Sequence, residues 1–101
     1  MSNPRRRYYD NGQISAEAYW ENGDWHRTDG PARITWYKNG QKEYEAYYMH
    51  GKHHRTDGPA VTYWDEDGEL DSEEFWLNNE WVTAYDVFGD TPEAFAYAMK
   101  N

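Results

Sequence analysis

Apolar and polar residues alternate along most of this chain. In residues 32–37, Ala32, Ile34 and Trp36 fall on one side while Arg33 and Thr35 fall on the other; further on, Glu43 and Glu45 alternate with Tyr44 and Ala46. A period of two marks a half-buried strand and excludes an amphipathic helix. The alternating stretches are cut by Asn11-Gly12, Asn22-Gly23, Asn39-Gly40 and Asp67-Gly68. Each is a two-residue hairpin signal, because both positions tolerate positive φ. Runs of about 5–8 residues between such turns predict a meander of short antiparallel strands. The pattern changes near the end. Gly89-Asp90-Thr91-Pro92-Glu93 reads as a helix start, with Thr91 as cap, Pro92 at the first helical position and Glu93 near the positive end. Helix formers fill 94–100, and Phe95 and Met99, four apart, share a face. The expected helix over 92–100 covers the edge of the last strand, which left open would invite aggregation.

The alternation is itself periodic. His26-Arg-Thr-Asp-Gly-Pro-Ala32 recurs as His54-Arg-Thr-Asp-Gly-Pro-Ala60, 28 residues on. The period divides the chain into a basic N-terminal arm (1–7), a β domain of three repeats (8–35, 36–63 and 64–90) and a capping helix (91–101). The first two repeats share 15 of 28 residues. Gly12, Gly40 and Gly68 hold one phase, and Gly23, Gly51 and Asn79 hold another, Asn being the next-best residue where φ must be positive. The doublets Tyr19-Trp20, Tyr47-Tyr48 and Phe75-Trp76 coincide as well. The third repeat keeps the turns and the aromatics but has 82–88 in place of the heptapeptide, as a terminal repeat that closes a stack would. The fold class expected is mainly β: an elongated, twisted antiparallel meander of about three 28-residue hairpin repeats, capped by a short C-terminal α-helix.

Tyr8-Tyr-Asp-Asn-Gly-Gln13 and Trp36-Tyr-Lys-Asn-Gly-Gln41 resemble MORN-type repeats, particularly the variant in bacterial antitoxin-like and immunity-like proteins. The His-Arg-x-Asp-Gly-Pro-Ala element resembles a repeat of phage, giant-virus and bacterial proteins. The resemblance spans residues 8–81 and implies a single-layer twisted sheet that scaffolds partners without a catalytic centre. One departure is the missing third heptapeptide.

Composition changes the picture of the core. The branched aliphatics are only Ile14, Ile34, Val61, Leu70, Leu77, Val82 and Val87, whereas there are 10 Tyr, 6 Trp and 3 Phe. Aromatics bury ~150–250 Å² each, enough to stand in for a Leu/Ile core in a thin structure. There is no cysteine, and no run approaches the ~20 apolar residues of a membrane span. MSNPRRRYYD has no apolar stretch behind its arginines, so the expectation is a soluble, cytoplasmic protein without a signal peptide. The net charge of -9 is unevenly placed: residues 1–55 hold nine Lys/Arg against seven Asp/Glu, and residues 56–101 hold Lys100 against twelve acids.

Candidate chemistry is sparse. In the heptapeptides a histidine could act as base and an arginine could bind phosphate, which makes His26, Arg27, His54 and Arg55 candidate anion ligands. A structural role fits better: Asp-Gly turns, Pro presets the next strand, Ala leaves room, and Arg bonds backbone carbonyls or the Asp of a neighbouring turn. A motif present in two equivalent places is a poor match for a catalytic centre. His50, His53 and His54 would share a helical face and bind zinc, but Gly51 marks a turn there, so no metal is expected. Ser2, Ser15 and Ser72 lack a nucleophile elbow, and no phosphate loop is present. The expectation is therefore no enzyme and no cofactor.

The third repeat carries the strongest signal. Asp65, Glu66, Asp67, Glu69, Asp71, Glu73 and Glu74 fall within ten residues without a basic neighbour, followed by Trp76 and Trp81. Asp71 and Glu73 share phases with Glu17, Glu43 and Glu45, which predicts a carboxylate stripe across the sheet. These residues are the candidate partner-binding set, with the tryptophans as hot spots. The partner expected is a protein with a basic surface, such as an effector, toxin or defence enzyme. The same charge disfavours nucleic acid or membrane binding by the sheet. The function expected is an inhibitor or sequestering protein. The alternatives are a small-ligand or nucleotide binder using the His-Arg turns, and a self-assembling structural unit; the oligomeric state stays open, a homodimer being one form.

Overall fold

The computed structural model describes residues 4–89 and 91–100, with side chains through residue 96. The Met99 side chain and Asp90 lie outside the described residues, and so does the pairing of Phe95 with Met99. Along the chain come β1 (Arg5–Tyr8), β2 (Ile14–Ala18), β3 (Trp20–Glu21), β4 (Asp24–Trp25), β5 (Arg33–Trp36), β6 (Lys42–Ala46), β7 (Tyr48–Met49), β8 (Lys52–His53), β9 (Val61–Trp64), β10 (Leu70–Leu77), β11 (Glu80–Val82), α1 (Ala84–Phe88) and α2 (Pro92–Lys100). Seven strands form one antiparallel sheet in the order β1-β2-β5-β6-β9-β10-β11, and β3-β4 and β7-β8 are two small hairpins beside it. The outline, 45 × 35 × 17 Å, is that of a plate. The mainly β meander capped by C-terminal helix is thus the fold observed. Among the described residues no helix is long and apolar enough to cross a membrane.

The period is built into the strands: β1, β5 and β9 occupy one phase, and β4, β8 and β11 another. Arg5, Arg6 and Arg7 belong to β1 and so to the sheet, rather than to an arm outside it. Turns of two kinds alternate. At Asn22-Gly23, His50-Gly51 and Asn78-Asn79 both central residues have positive φ (54° and 84°, 51° and 81°, 49° and 69°), the two-residue turn that matches strand twist. At Asn11-Gly12, Asn39-Gly40 and Asp67-Gly68 the expected two-residue loop is replaced by a longer one. Gly40 donates to Tyr37 O at 3.0 Å and Tyr37 to Gln41 O at 2.8 Å, which closes a three-residue loop. Only Gly40 has positive φ there (90°), which glycine meets without Cβ strain. The Asn39 side chain accepts from Gln41 N at 2.9 Å instead of setting the backbone twist, and this local competition is why the dipeptide alone does not fix loop length.

Ala32, Ala46, Val61 and Tyr48 form the buried centre of the sheet, with Trp25, Tyr44 and Trp76 packed against it. The alanines at the hub have no exposure, so the surrounding rings close directly on the backbone. A second cluster of Phe75, Ala84 and Ala94 gathers Val82, Val87 and Phe88 at the helical end. Burying Phe75 contributes ~1.5–3 kcal/mol, and the helices supply the cover.

The helical end differs from expectation in two ways. The first is α1, which stands where the heptapeptide stood in the earlier repeats. Its signal was the Thr83-x-x-Asp86 capping box, in which Asp86 N donates to Thr83 Oγ1 at 3.2 Å and Thr83 N to Asp86 Oδ2 at 2.9 Å. The second concerns α2. Its start is as predicted, with Ala94 N donating to Thr91 Oγ1 at 3.3 Å, but Ala94 rather than Phe95 is buried, and Phe95 is 58% exposed. The helices pack at Phe75 and Val82. Farther back, at 71–74, β10 has β9 on one side and, among the described residues, no strand on the other.

Candidate interaction surfaces

Each heptapeptide folds the same way, from its arginine inward. Arg27 Nε donates to Asp29 Oδ1 at 2.8 Å and Nη1 to Pro31 O at 3.2 Å, and the guanidinium lies 4.0 Å from the centre of the Tyr19 ring. Arg55 repeats this with Asp57 at 2.7 Å, Pro59 O at 3.1 Å and Tyr47 at 4.0 Å. The glycine follows from this arrangement, since a Cβ on Gly58 would come within 2.7 Å of Arg55 Cζ. The guanidinium hydrogen bonds hold the Asp29 and Asp57 carboxyls below their ordinary range. The arginines bond carbonyls, as expected, but the aspartate each one meets is in its own turn, not a neighbouring one.

The histidine links one repeat to the next. His50 N donates to His26 Nδ1 at 2.9 Å and Asn78 N to His54 Nδ1 at 3.0 Å, each capping the positive-φ turn of the following repeat. An imidazole that accepts at Nδ1 carries its proton on Nε2, and for His26 that atom lies 3.5 Å from Glu21 Oε2. The His-Gly-Lys-His-His stretch is thereby dispersed. His50 stacks on His26 with ring centres 4.3 Å apart, whereas His53 is sandwiched between Tyr48 (4.4 Å) and Trp76 (5.0 Å). Burial lowers the His53 pKa from its ordinary value, and Glu74 opposes this. No group of three or more His, Asp or Glu among the described residues is placed to hold a metal ion.

Between the two heptapeptide loops lies an open cleft of about 440 Å³, lined by Arg27, Asp29, Tyr47, His54, Arg55 and Asp57 among others. Of the four residues singled out as anion ligands, Arg27, His54 and Arg55 line this cleft, whereas His26 is buried and does not. The two aspartates that engage the arginines also face it, so an anion would compete with carboxylates already in place.

The carboxylate stripe exists as a row but not as an open surface. Arg6, Glu17, Ile34, Glu45, Thr62 and Glu73 are successive cross-strand partners. Glu17 is paired with Arg6 at 2.6 Å and accepts from Tyr19 Oη at 3.0 Å; Glu45 is paired with Lys42 at 2.9 Å. The glutamate side chains in both pairs are only 13% exposed. Glu43 accepts from Thr35 Oγ1 at 3.0 Å. In the third repeat Leu70 stands at the phase of Lys42, and Glu73 Oε1 is buried without a hydrogen-bond partner among the described residues.

The candidate partner-binding residues divide into three places. Asp65, Glu66, Asp67 and Glu69 belong to one turn, where Asp65 Oδ1 accepts from Asp67 N and Glu69 N. Glu73 lies on one face of β10. Glu74 lies on the other and accepts from Trp76 Nε1 at 3.1 Å. Trp76 packs against the core, and Trp81 stacks on it with ring centres 6.4 Å apart while remaining 74% exposed. Leu70, Tyr85 and Phe95 are further exposed apolar residues of this end, and sequence alternation alone did not single them out.

Residues 3–23 and 32–50 match a family model described as MORN repeat variant. The two matches begin close to one period apart and take in β1–β3 and β5–β7, so these segments are similar to repeats of that kind. Comparison with curated proteins and with solved structures gives no match.

Proposed function

We propose that this chain is a non-enzymatic binding module that inhibits or sequesters a protein carrying a basic surface, and that it docks through the end formed by its third repeat. The observation that carries this reading is Trp81, three-quarters exposed and stacked on Trp76. An exposed indole backed by a second ring is the kind of anchor that dominates protein interfaces. It sits in the part of the chain that holds twelve acids against Lys100, a balance that steers a basic partner and repels nucleic acid. The similarity to a MORN repeat variant supports a repeat scaffold that presents a surface, not a catalytic centre. The test is capture of partners from a lysate on the intact chain, repeated with Trp81→Ala and with Asp67→Lys/Glu69→Lys. A basic protein retained by the parent chain and lost with both variants supports the reading; the same retention by all three overturns it.

A second reading rests on the cleft between the two heptapeptide loops. Arg27 and Arg55 approach it from either side, and Tyr47 provides a ring for stacking. Nucleotide-dependent rise in melting temperature, abolished by Arg55→Lys, would favour this small-ligand reading over the first.

A further inference from the structure

We infer that the outer edge of β10 is the docking site for β1 of a second copy of this chain, so that copies join head to tail into a continuous sheet. This rests on strand register and not on the proposed function. Within the chain, the strand that follows each three-residue loop, β2 or β6, is paired on its outer side by the next strand of the large sheet, β5 or β9. Ala16, Glu17 and Ala18 face Thr35, Ile34 and Arg33; Tyr44, Glu45 and Ala46 face Tyr63, Thr62 and Val61. Ser72, Glu73 and Glu74 hold the same phase, and at the phase of the strand that should face them the chain enters α2 at Pro92. The phase of that missing strand is the phase of β5 and β9, and it is also the phase of β1, 28 residues before β5.

Transferring the register sets Arg5, Arg6 and Arg7 of a second copy opposite Glu74, Glu73 and Ser72. The two edges are electrostatic opposites: β1 is Arg-Arg-Arg-Tyr, and β10 opens Leu-Asp-Ser-Glu-Glu. The Glu73 carboxylate sharpens the fit. It is the third member of a row whose first two members each hold a cation, and its Oε1 is buried without a partner among the described residues. Arg6 of a second copy would supply that cation while still spanning to its own Glu17, continuing the row across the junction. Open strand edges template pairing of this kind, and a heterologous contact between different edges propagates rather than closing.

Sedimentation velocity of the intact chain at rising concentration tests this, together with Glu73→Arg and Arg6→Glu. The parent chain should self-associate, more weakly at high salt. Each variant alone places like charges across the junction and should remain monomeric, a loss of at least about tenfold in association. An equimolar mixture of the two should assemble again, since it restores Arg opposite Glu. Glu73→Arg gives up no pair among the described residues, so it decides the case by itself if Arg6→Glu, which also loses Glu17, fails to fold by circular dichroism. A parent chain that stays monomeric at every concentration, or a Glu73→Arg chain that assembles like the parent, overturns the proposal. Trp81→Ala should leave assembly intact, which separates this junction from the proposed partner surface.

Discussion

The corner that leads out of the first repeat and the corner that leads out of the third are built from the same phase of the sequence in opposite ways. At the first, His26 accepts from a backbone amide, Arg27 donates to the aspartate and a carbonyl of its own turn, and the chain returns to the sheet as β5. At the third, Thr83 and Asp86 cap α1, Phe88 stands at the phase of Ala32 and Ala60, and the chain leaves the sheet. A zero-exposure alanine admits the next strand to close quarters; a phenylalanine at that phase fills the space and joins a separate apolar cluster. Continuing a repeat sheet and ending one therefore differ by a handful of side chains at a single corner.

The comparison can be broken most forcefully at the hub of the repeating region. Tyr48→Ala removes the ring that meets Trp25 at 5.0 Å and His53 at 4.4 Å, and should cost about 3–5 kcal/mol in denaturant unfolding. A cost under about 1 kcal/mol would mean that the aromatics are surface decoration. Arg55→Lys keeps the charge but loses the planar donation to Pro59 O and the stacking on Tyr47; we expect about 1–2 kcal/mol, with Arg27→Lys matching it because the geometry is duplicated. Unequal costs would show that the two corners are not equivalent in solution. Thr83→Ala at the helical corner should cost about 1 kcal/mol and lower helical ellipticity without disturbing the sheet. The smallest effect is a pH dependence. Burial depresses the folded pKa of His53 below its ordinary 6.5, so its contribution is complete above that value and is lost as pH falls below it, once the unfolded chain takes up the proton first. Melting temperature should drop between neutral pH and pH about 5, and His53→Phe should flatten that drop.

Much of the repeating region was legible because it is locally consistent. Alternation, turn dipeptides and a seven-residue identity all point to one meander, and Gly23, Gly51 and Asn79 mark turns that the backbone does form. The three-residue loops were misread because Asn-Gly states where φ is positive, not how many residues close the loop; the deciding bond, from Tyr37 N to Gln41 O, lies outside the dipeptide. The helix at 84–88 was hidden by its own repeat phase, which drew attention to what was missing rather than to the capping box in its place. The acidic residues were counted correctly, but counting could not tell that Glu17 and Glu45 are spent on Arg6 and Lys42 while Glu73 has no such cation among the described residues. Exposure of Trp81 was likewise beyond pattern, because Trp76 and Trp81 are cross-strand partners and only the layer above them decides which is covered.

The hydrogen bonds between repeats have a consequence for how such a chain can lengthen. Tyr9 Oη donates to Trp36 O and Tyr37 Oη to Trp64 O; His26 serves the turn at His50, and His54 the turn at Asn78. Each of these ties reaches one unit ahead, so a duplicated copy of residues 36–63 spliced in after itself would find every partner it needs already waiting on both sides. Gene duplication at this spacing adds reach without redesign, and the number of copies inherited, rather than any change in the unit, sets the span of the plate.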